Sequence, residues 1–154
     1  MDKYEAIAEL QRECYQAAAD KGFHREGDRL KAIVESDAPG WAEVHEGNVR
    51  NLANYRANKL MLIVGEAVEA HEELRAGRGV VETYYPTAPY AYRGPLNTGV
   101  RETLHKPEGI PSELADIVIR VLDFAGSEGI DLAGMIREKL AFNATRPDKH
   151  GKQF

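Results

Sequence analysis

Lys59-Leu60-Met61-Leu62-Ile63-Val64-Gly65-Glu66-Ala67-Val68-Glu69-Ala70-His71-Glu72-Glu73 is the stretch on which the fold turns. Residues 60–64 are apolar without a break, and Glu66, Glu69 and Glu73 follow at i, i+3 and i+7. The stretch lies inside a helical pattern that begins near Asn48 and runs to about Ala76, where Gly77 and Gly79 stop it. At about 100° per residue the three glutamates point within about 60° of one another. The apolar run has no polar side at its level of the helix, so it must be covered on nearly all sides, by other helices or by a second subunit. It is far short of the roughly 20 residues that span a bilayer.

Working outward, three further helices are expected. Residues 3–19 place Ile7, Leu10, Cys14 and Ala18 at helical spacing, with Gly22 beyond the end. Residues 22–47 are mixed; a short helix over 29–35 is compatible with them before Pro39-Gly40 breaks it. A third helix starts at Pro111-Ser112, buries Leu114, Ile117, Val118, Val121, Leu122 and Ala125, and ends at Gly126 and Gly129. A fourth starts at Asp131 as its cap and runs through Leu132, Met135, Ile136 and Leu140 to Arg146, where Pro147 ends it. Residues 80–110 contain Pro86, Pro89, Pro95 and Pro107 with Gly94, Gly99 and Gly109; a short strand over 80–85 is compatible with the pattern, and the rest reads as loop. The expected fold is an all-α four-helix bundle in a single domain, 1–154, with a long Pro/Gly-rich loop between its second and third helices.

Composition narrows the function. A hydrophobic share of 43% in 154 residues supports a real core. Acidic residues outnumber basic ones, 25 to 20, which disfavours a diffuse nucleic-acid surface. The single cysteine, Cys14, excludes an internal disulfide and a cysteine-rich zinc site. The charged start Met1-Asp2-Lys3-Tyr4-Glu5 does not resemble an export signal, so no membrane association and a cytoplasmic location are expected.

The third helix carries Glu113 and Asp116 at i, i+3, opposite Leu114, Ile117 and Val121. Glutamates so spaced usually mark a solvated face, and either acidic pair alone carries little. Together, each beside a strongly apolar segment, they are like charges that a bundle can aim inward only if something neutralises them. A hard divalent cation does so: Mg²⁺, with Mn²⁺ as a substitute, takes oxygen ligands and leaves positions for water and phosphate. The last helix adds Lys139, Asn143 and Arg146 at i, i+4 and i+7, with Lys149, His150 and Lys152 after it. A basic C-terminal turn also suits a helix dipole. Beside acidic metal ligands, however, such a stripe is what a metal–polyphosphate substrate requires.

These residues resemble the MazG-like all-α nucleoside triphosphate pyrophosphohydrolases, a family similar in fold and metal site to the dimeric dUTPases and dCTPases. The likeness rests on Glu66-Ala67-Val68-Glu69 and Glu113-Leu114-Ala115-Asp116, with Lys59–Glu66 before the first pair and Leu114–Arg120 around the second. The ending Lys139-Leu140-Ala141-Phe142-Asn143-Ala144-Thr145-Arg146-Pro147, then Lys149-His150-Gly151-Lys152, is similar to that of many small members. It covers about 60–76 and 108–152, and more faintly Lys21-Gly22-Phe23-His24. The interval from Glu69 to Glu113 is longer than is usual in the family, and the excess is read as an insertion.

The resemblance implies hydrolysis of an NTP or dNTP between its α and β phosphates, giving a nucleoside monophosphate and pyrophosphate. It implies Glu66, Glu69, Glu113 and Asp116 as Mg²⁺ ligands and Glu69 or Glu73 as base toward water. It further implies Lys139, Asn143, Arg146 and Lys152 as phosphate contacts, with Lys59 able to join them. His24 is expected at the substrate, among the aromatics Phe23, Trp41, Tyr84 and Tyr85 available to a base pocket. A homodimer or homotetramer is expected from the apolar run. Two other readings stand beside this one: a non-catalytic helical interaction module with solvated carboxylates, and a di-metal carboxylate bundle. The latter needs Glu-x-x-His on two helices, and this chain has only Glu102-Thr103-Leu104-His105.

Overall fold

A computed structural model of the chain describes residues 2–36, 42–86 and 105–147, with side chains in the third helix described from residue 45. It contains α1 (Lys3–Asp20), α2 (Arg25–Glu35), α3 (Ala42–Arg75), α4 (Ile110–Ser127) and α5 (Leu132–Ala144). The described residues hold no strand, only an isolated antiparallel bridge between Tyr84 and Glu108, so the described structure is all-α. No described helix is long and apolar enough to cross a membrane.

Several expectations are corrected. Among the described residues five helices stand where four were expected, because 25–35 is fully helical: Glu26 and Asp28 favour its N-terminus, and Leu30 is buried. The helix carrying the glutamates starts at Ala42, not near Asn48, since Gly47 lies within it at a cost of only about 1 kcal/mol relative to alanine. The last helix stops at Ala144, short of Arg146, where Thr145 closes the turn onto the Phe142 and Asn143 carbonyls. The strand over 80–85 reduces to the single bridge. Most of the Pro/Gly-rich loop and the tail from 148 lie outside the described residues.

The chain divides into two compact units, one of Met1–Leu60 and Ile119–Phe154, the other of Met61–Val118. In the first, α1 packs on α5, and Gln11 donates to the Ile130 carbonyl at 2.9 Å. Gly126, expected as a stop, lies inside α4 instead. A Cβ there would come within 2.6 Å of the Tyr15 Cβ, so the glycine marks a close approach of α1 to α4. Arg56 and Lys31 both pair with Glu128, at 2.7 and 3.0 Å, and tie α2 and α3 to the end of α4. Burial pushes the Glu128 carboxyl up, but Arg56 and Lys31 outweigh it and hold it below its ordinary value.

In the second unit α3 ends in a turn where the Arg78 N–H reaches the Glu73 carbonyl at 3.1 Å. The chain then meets its returning segment at a single bridge: Tyr84 and Glu108 exchange both backbone hydrogen bonds, at 3.1 and 2.9 Å. Gly109 follows at φ +107°, and a Cβ on it would lie 2.5 Å from the Glu82 carbonyl oxygen, so only glycine lets α4 start here.

The burial of α4 is inverted relative to expectation in this unit. Leu114 and Val118 are half exposed, whereas Glu113 is 3% exposed. On α3, Met61, Leu62, Val64 and Val68 are likewise exposed while Glu66 is buried. Glu66 and Glu113 therefore face inward, while Glu69 on the same stripe is exposed, and these apolar residues face out from the single chain.

Candidate metal centre

Glu66 stands on α3 and Glu113 and Asp116 on the first turns of α4, all within the second unit. One carboxylate oxygen from each lies within 4.8 Å of the others. Helical geometry explains the pair on α4, because i and i+3 share a face. The Gly109 turn and the Glu113 N–H, which donates to the Gly109 carbonyl at 3.2 Å, fix where that face begins.

The electrostatics of the trio are those of crowded anions. The Glu113 pKa is pushed up to about 7, first by burial, then by a hydrogen bond with Glu66 and the negative charge of Glu69; Lys106 pulls the other way. Glu113 Oε2 is buried and has no hydrogen-bond partner. A buried orphaned carboxylate oxygen costs free energy unless something satisfies it. The donor set is all carboxylate oxygen, the chemistry of a hard cation. Ligands on opposite sides of Mg²⁺ are about 4.2 Å apart, twice its bond length, so a span of 4.8 Å needs to close by only a few tenths of an ångström. The residues present fit a divalent ion.

The other expected site residues fall as follows. Glu69 is exposed and outside the trio, although its charge acts on Glu113. Glu73 accepts a hydrogen bond from the Tyr84 hydroxyl at 3.0 Å, and its second oxygen is buried without a hydrogen bond, 4.0 Å from Arg78 Nε. Tyr84 thus serves Glu73, while its ring lies under the Arg78 guanidinium at 4.1 Å. Tyr85 and Phe23 are exposed, and Trp41 lies outside the described residues.

His24 and Lys59 belong to the first unit and are committed to Asp123. His24 is 3% exposed, with Nε2 2.7 Å from Asp123 Oδ1 and its ring 5.0 Å from that of Tyr15. Lys59 Nζ is 3.4 Å from Asp123 Oδ2. Lys139, Asn143 and Arg146 are exposed on and just beyond α5, also in the first unit; Lys152 lies outside the described residues. Glu102 lies outside them too, and His105 sits with Nδ1 3.3 Å from the Pro86 carbonyl. A pocket of about 480 Å³ opens along the start of α5, but none of the expected site residues lines it.

Sequence reasoning missed two residues, Asp123 and Lys106, and gave Tyr84 only as an aromatic available to a base pocket, whereas its hydroxyl serves Glu73. Asp123 was legible: it continues the Asp116 register at i+7. Lys106 was not, because Pro107 and Gly109 interrupt any periodicity that could relate it to α4. Lys106 Nζ lies 3.0 and 3.2 Å from the two oxygens of Glu108. Glu108 chiefly, with Glu113 and Asp116 adding to it, holds the ammonium above its ordinary pKa against the opposing effect of burial. Comparison of the chain with protein-family models, with curated proteins and with solved structures finds no match.

Proposed function

We propose that this protein is a Mg²⁺-dependent nucleoside triphosphate pyrophosphohydrolase of the MazG-like all-α type, converting an NTP or dNTP to a nucleoside monophosphate and pyrophosphate. The observation that carries the reading is the convergence of Glu66, Glu113 and Asp116 around a buried, unpartnered Glu113 oxygen. In this reading α1, α3, α4 and α5 are the family's four-helix bundle, α2 is an accessory helix, and 80–110 is an insertion. The enzyme works in the cytoplasm.

Glu66, Glu113 and Asp116 would hold the ion, with Glu69 closing in as a fourth carboxylate. When bound, Mg²⁺ supplies Lewis acidity at phosphoryl oxygen and a lowered pKa for water. The chain's own residues do the rest. Glu69 is open to solvent, whereas one oxygen of Glu73 is taken by Tyr84, so Glu69 is the better placed to accept the proton of the attacking water. The water oxygen adds to phosphorus, the bridging P–O bond between the α and β phosphates breaks, and pyrophosphate leaves with the bridging oxygen.

The protein would act as a homodimer or homotetramer. Met61 is 61% exposed, and Leu62, Val64, Val68, Leu114 and Val118 are about half exposed; the described residues include no large side chain that is completely buried. A chain of this length that leaves its most apolar segment in water gains by burying it against a second copy.

The test is a panel of nucleotides assayed for pyrophosphate with and without Mg²⁺. Metal-dependent release of pyrophosphate from at least one triphosphate is expected. Release of orthophosphate, or no release across the panel, rejects the reading.

A further inference from the structure

We infer that Tyr84 is a positioning residue for the metal centre: by tying the Glu73 side chain on α3 to the backbone of Glu108 ahead of α4, it sets the spacing between Glu66 and the pair Glu113 and Asp116. The inference rests on the metal-centre part of the proposed function and gives Glu73 a role other than that of base.

The geometry is a closed ring of contacts within the second unit. Glu66 and Glu73 lie about two turns apart on α3, so one rod carries both. The Tyr84 hydroxyl donates to Glu73 Oε1 at 3.0 Å, and the Tyr84 backbone pairs with Glu108 at 3.1 and 2.9 Å. Glu108 adjoins Gly109, whose carbonyl accepts from the N–H groups of Ser112 and Glu113 at 2.9 and 3.2 Å. Glu113 and Asp116 complete the ring at Glu66, one carboxylate oxygen of each lying within 4.8 Å of the others.

The hydroxyl is the side-chain link in that ring, and its neighbours are fastened locally. Gly77 stands at φ +80°, with its N–H on the Leu74 carbonyl at 3.0 Å and that of Arg78 on the Glu73 carbonyl at 3.1 Å, which closes the end of α3. Glu82 takes the Gly79 N–H at 2.9 Å and Arg78 at 3.1 Å, which ties the following turn to itself. Glu73 Oε2 is buried without a hydrogen bond, and Arg78 Nε stands 4.0 Å away, so the Tyr84 hydroxyl orients that carboxylate. The Arg78 guanidinium, 4.1 Å from the ring centre, steadies the ring itself.

Three carboxylates gathered this closely repel, and the repulsion works to part α3 from the first turn of α4. A link that opposes it keeps the span short. Small ions need that most: Mg²⁺ demands near-ideal octahedral bonds of about 2.0–2.1 Å, whereas Ca²⁺ accepts irregular ones of about 2.3–2.6 Å. Loss of the link should therefore cost Mg²⁺ more than Ca²⁺.

Tyr84→Phe, Glu73→Ala and the double variant are compared with the wild type, all without nucleotide. Affinities for Mg²⁺ and Ca²⁺ are read as displacement of bound Mn²⁺, followed by electron paramagnetic resonance. For Tyr84→Phe the Mg²⁺ affinity is expected to fall about tenfold, or about 1.4 kcal/mol, and the Ca²⁺ affinity by less than about threefold. Glu73→Ala should lower the ratio of the two affinities by a similar factor, and the double variant should lower it no further, since the two groups act as one link. An unchanged Mg²⁺ affinity in Tyr84→Phe overturns the inference. Equal losses for the two ions, or additive losses in the double variant, also overturn it, because they mark general damage rather than a lost spacing. A wild type that binds no Mn²⁺ removes the metal centre itself, and the role of Tyr84 with it.

Discussion

The side chains of Glu66 and Glu113 are hydrogen-bonded to one another, and both residues are buried. Two carboxyl groups can share such a bond only if one carries a proton, and the raised pKa of Glu113, about 7, marks it as the holder. Without a metal this centre therefore stores repulsion that grows as protons are removed.

Stability of the metal-free protein should fall as pH rises from about 4.5 to about 7. The folded state holds the Glu113 proton more tightly than the unfolded chain, whose value is the ordinary 4.5, so the unfolded state gains as the proton is lost between the two. The loss is up to about 3 kcal/mol. Glu128 acts in the opposite direction: its lowered pKa gives stability above its unfolded value that is lost as pH falls through the folded one. Urea titrations from pH 4 to 8 in chelator should show the decline, and saturating Mg²⁺ should reduce it. A metal-free stability that climbs steadily to pH 7 contradicts the Glu113 assignment.

Glu113→Gln should stabilise the metal-free protein at pH 8 and abolish its response to Mg²⁺. The amide keeps the shape and a hydrogen bond toward Glu66 while removing the buried charge, which is worth about 2 kcal/mol. Asp116→Asn should also lose the response. Thermal melts with and without Mg²⁺ measure both; a retained Mg²⁺ shift in both variants would dissolve the metal centre.

Asp123→Ala should cost about 3 kcal/mol, because it leaves His24 buried without its carboxylate and Lys59 half-buried without its ion pair. Asp123→Asn should cost less, since the amide oxygen still accepts. The effect is on folding, read as a lower midpoint in urea with an unchanged slope; a change below about 0.5 kcal/mol would show that the pair contributes nothing.

Val64→Glu probes the apolar face. In an isolated chain Val64 is half exposed, so the new charge should shift stability by no more than about 0.5 kcal/mol. In an oligomer the same charge must be buried, and the assembly should dissociate. Light scattering at micromolar concentration on both proteins decides: a wild type that is already monomeric ends the oligomer proposal.

How much of this was legible in sequence depends on the kind of order involved. The facing of Glu113 and Asp116 follows from helical arithmetic, and so does the placing of Glu66 one helix earlier. That α2 would form was less legible, since Leu30, Ile33 and Val34 give its turns a thin apolar stripe whose burial depends on residues far along the chain, such as Tyr55 against Gly27. Gly126 has the chemistry of a stop and the position of a contact, and only the Tyr15 backing distinguishes them. Leu114 and Val118 pattern as core, but periodicity reports which side is apolar and not what covers it. The pairing of Tyr84 with Glu108 lies beyond all such rules, because it is a tertiary event.

The backbone pair between Tyr84 and Glu108 makes a neck, and its consequence is modularity. Once those two residues are joined, the length of polypeptide strung between them is a weak thermodynamic variable: doubling it costs only about 0.6 kcal/mol of closure entropy. The hairpin-like junction can accept shortened, extended or foreign segments while Gly109 still launches α4 from the same point. A lineage could thus exchange that segment without rebuilding the helices that carry the carboxylates.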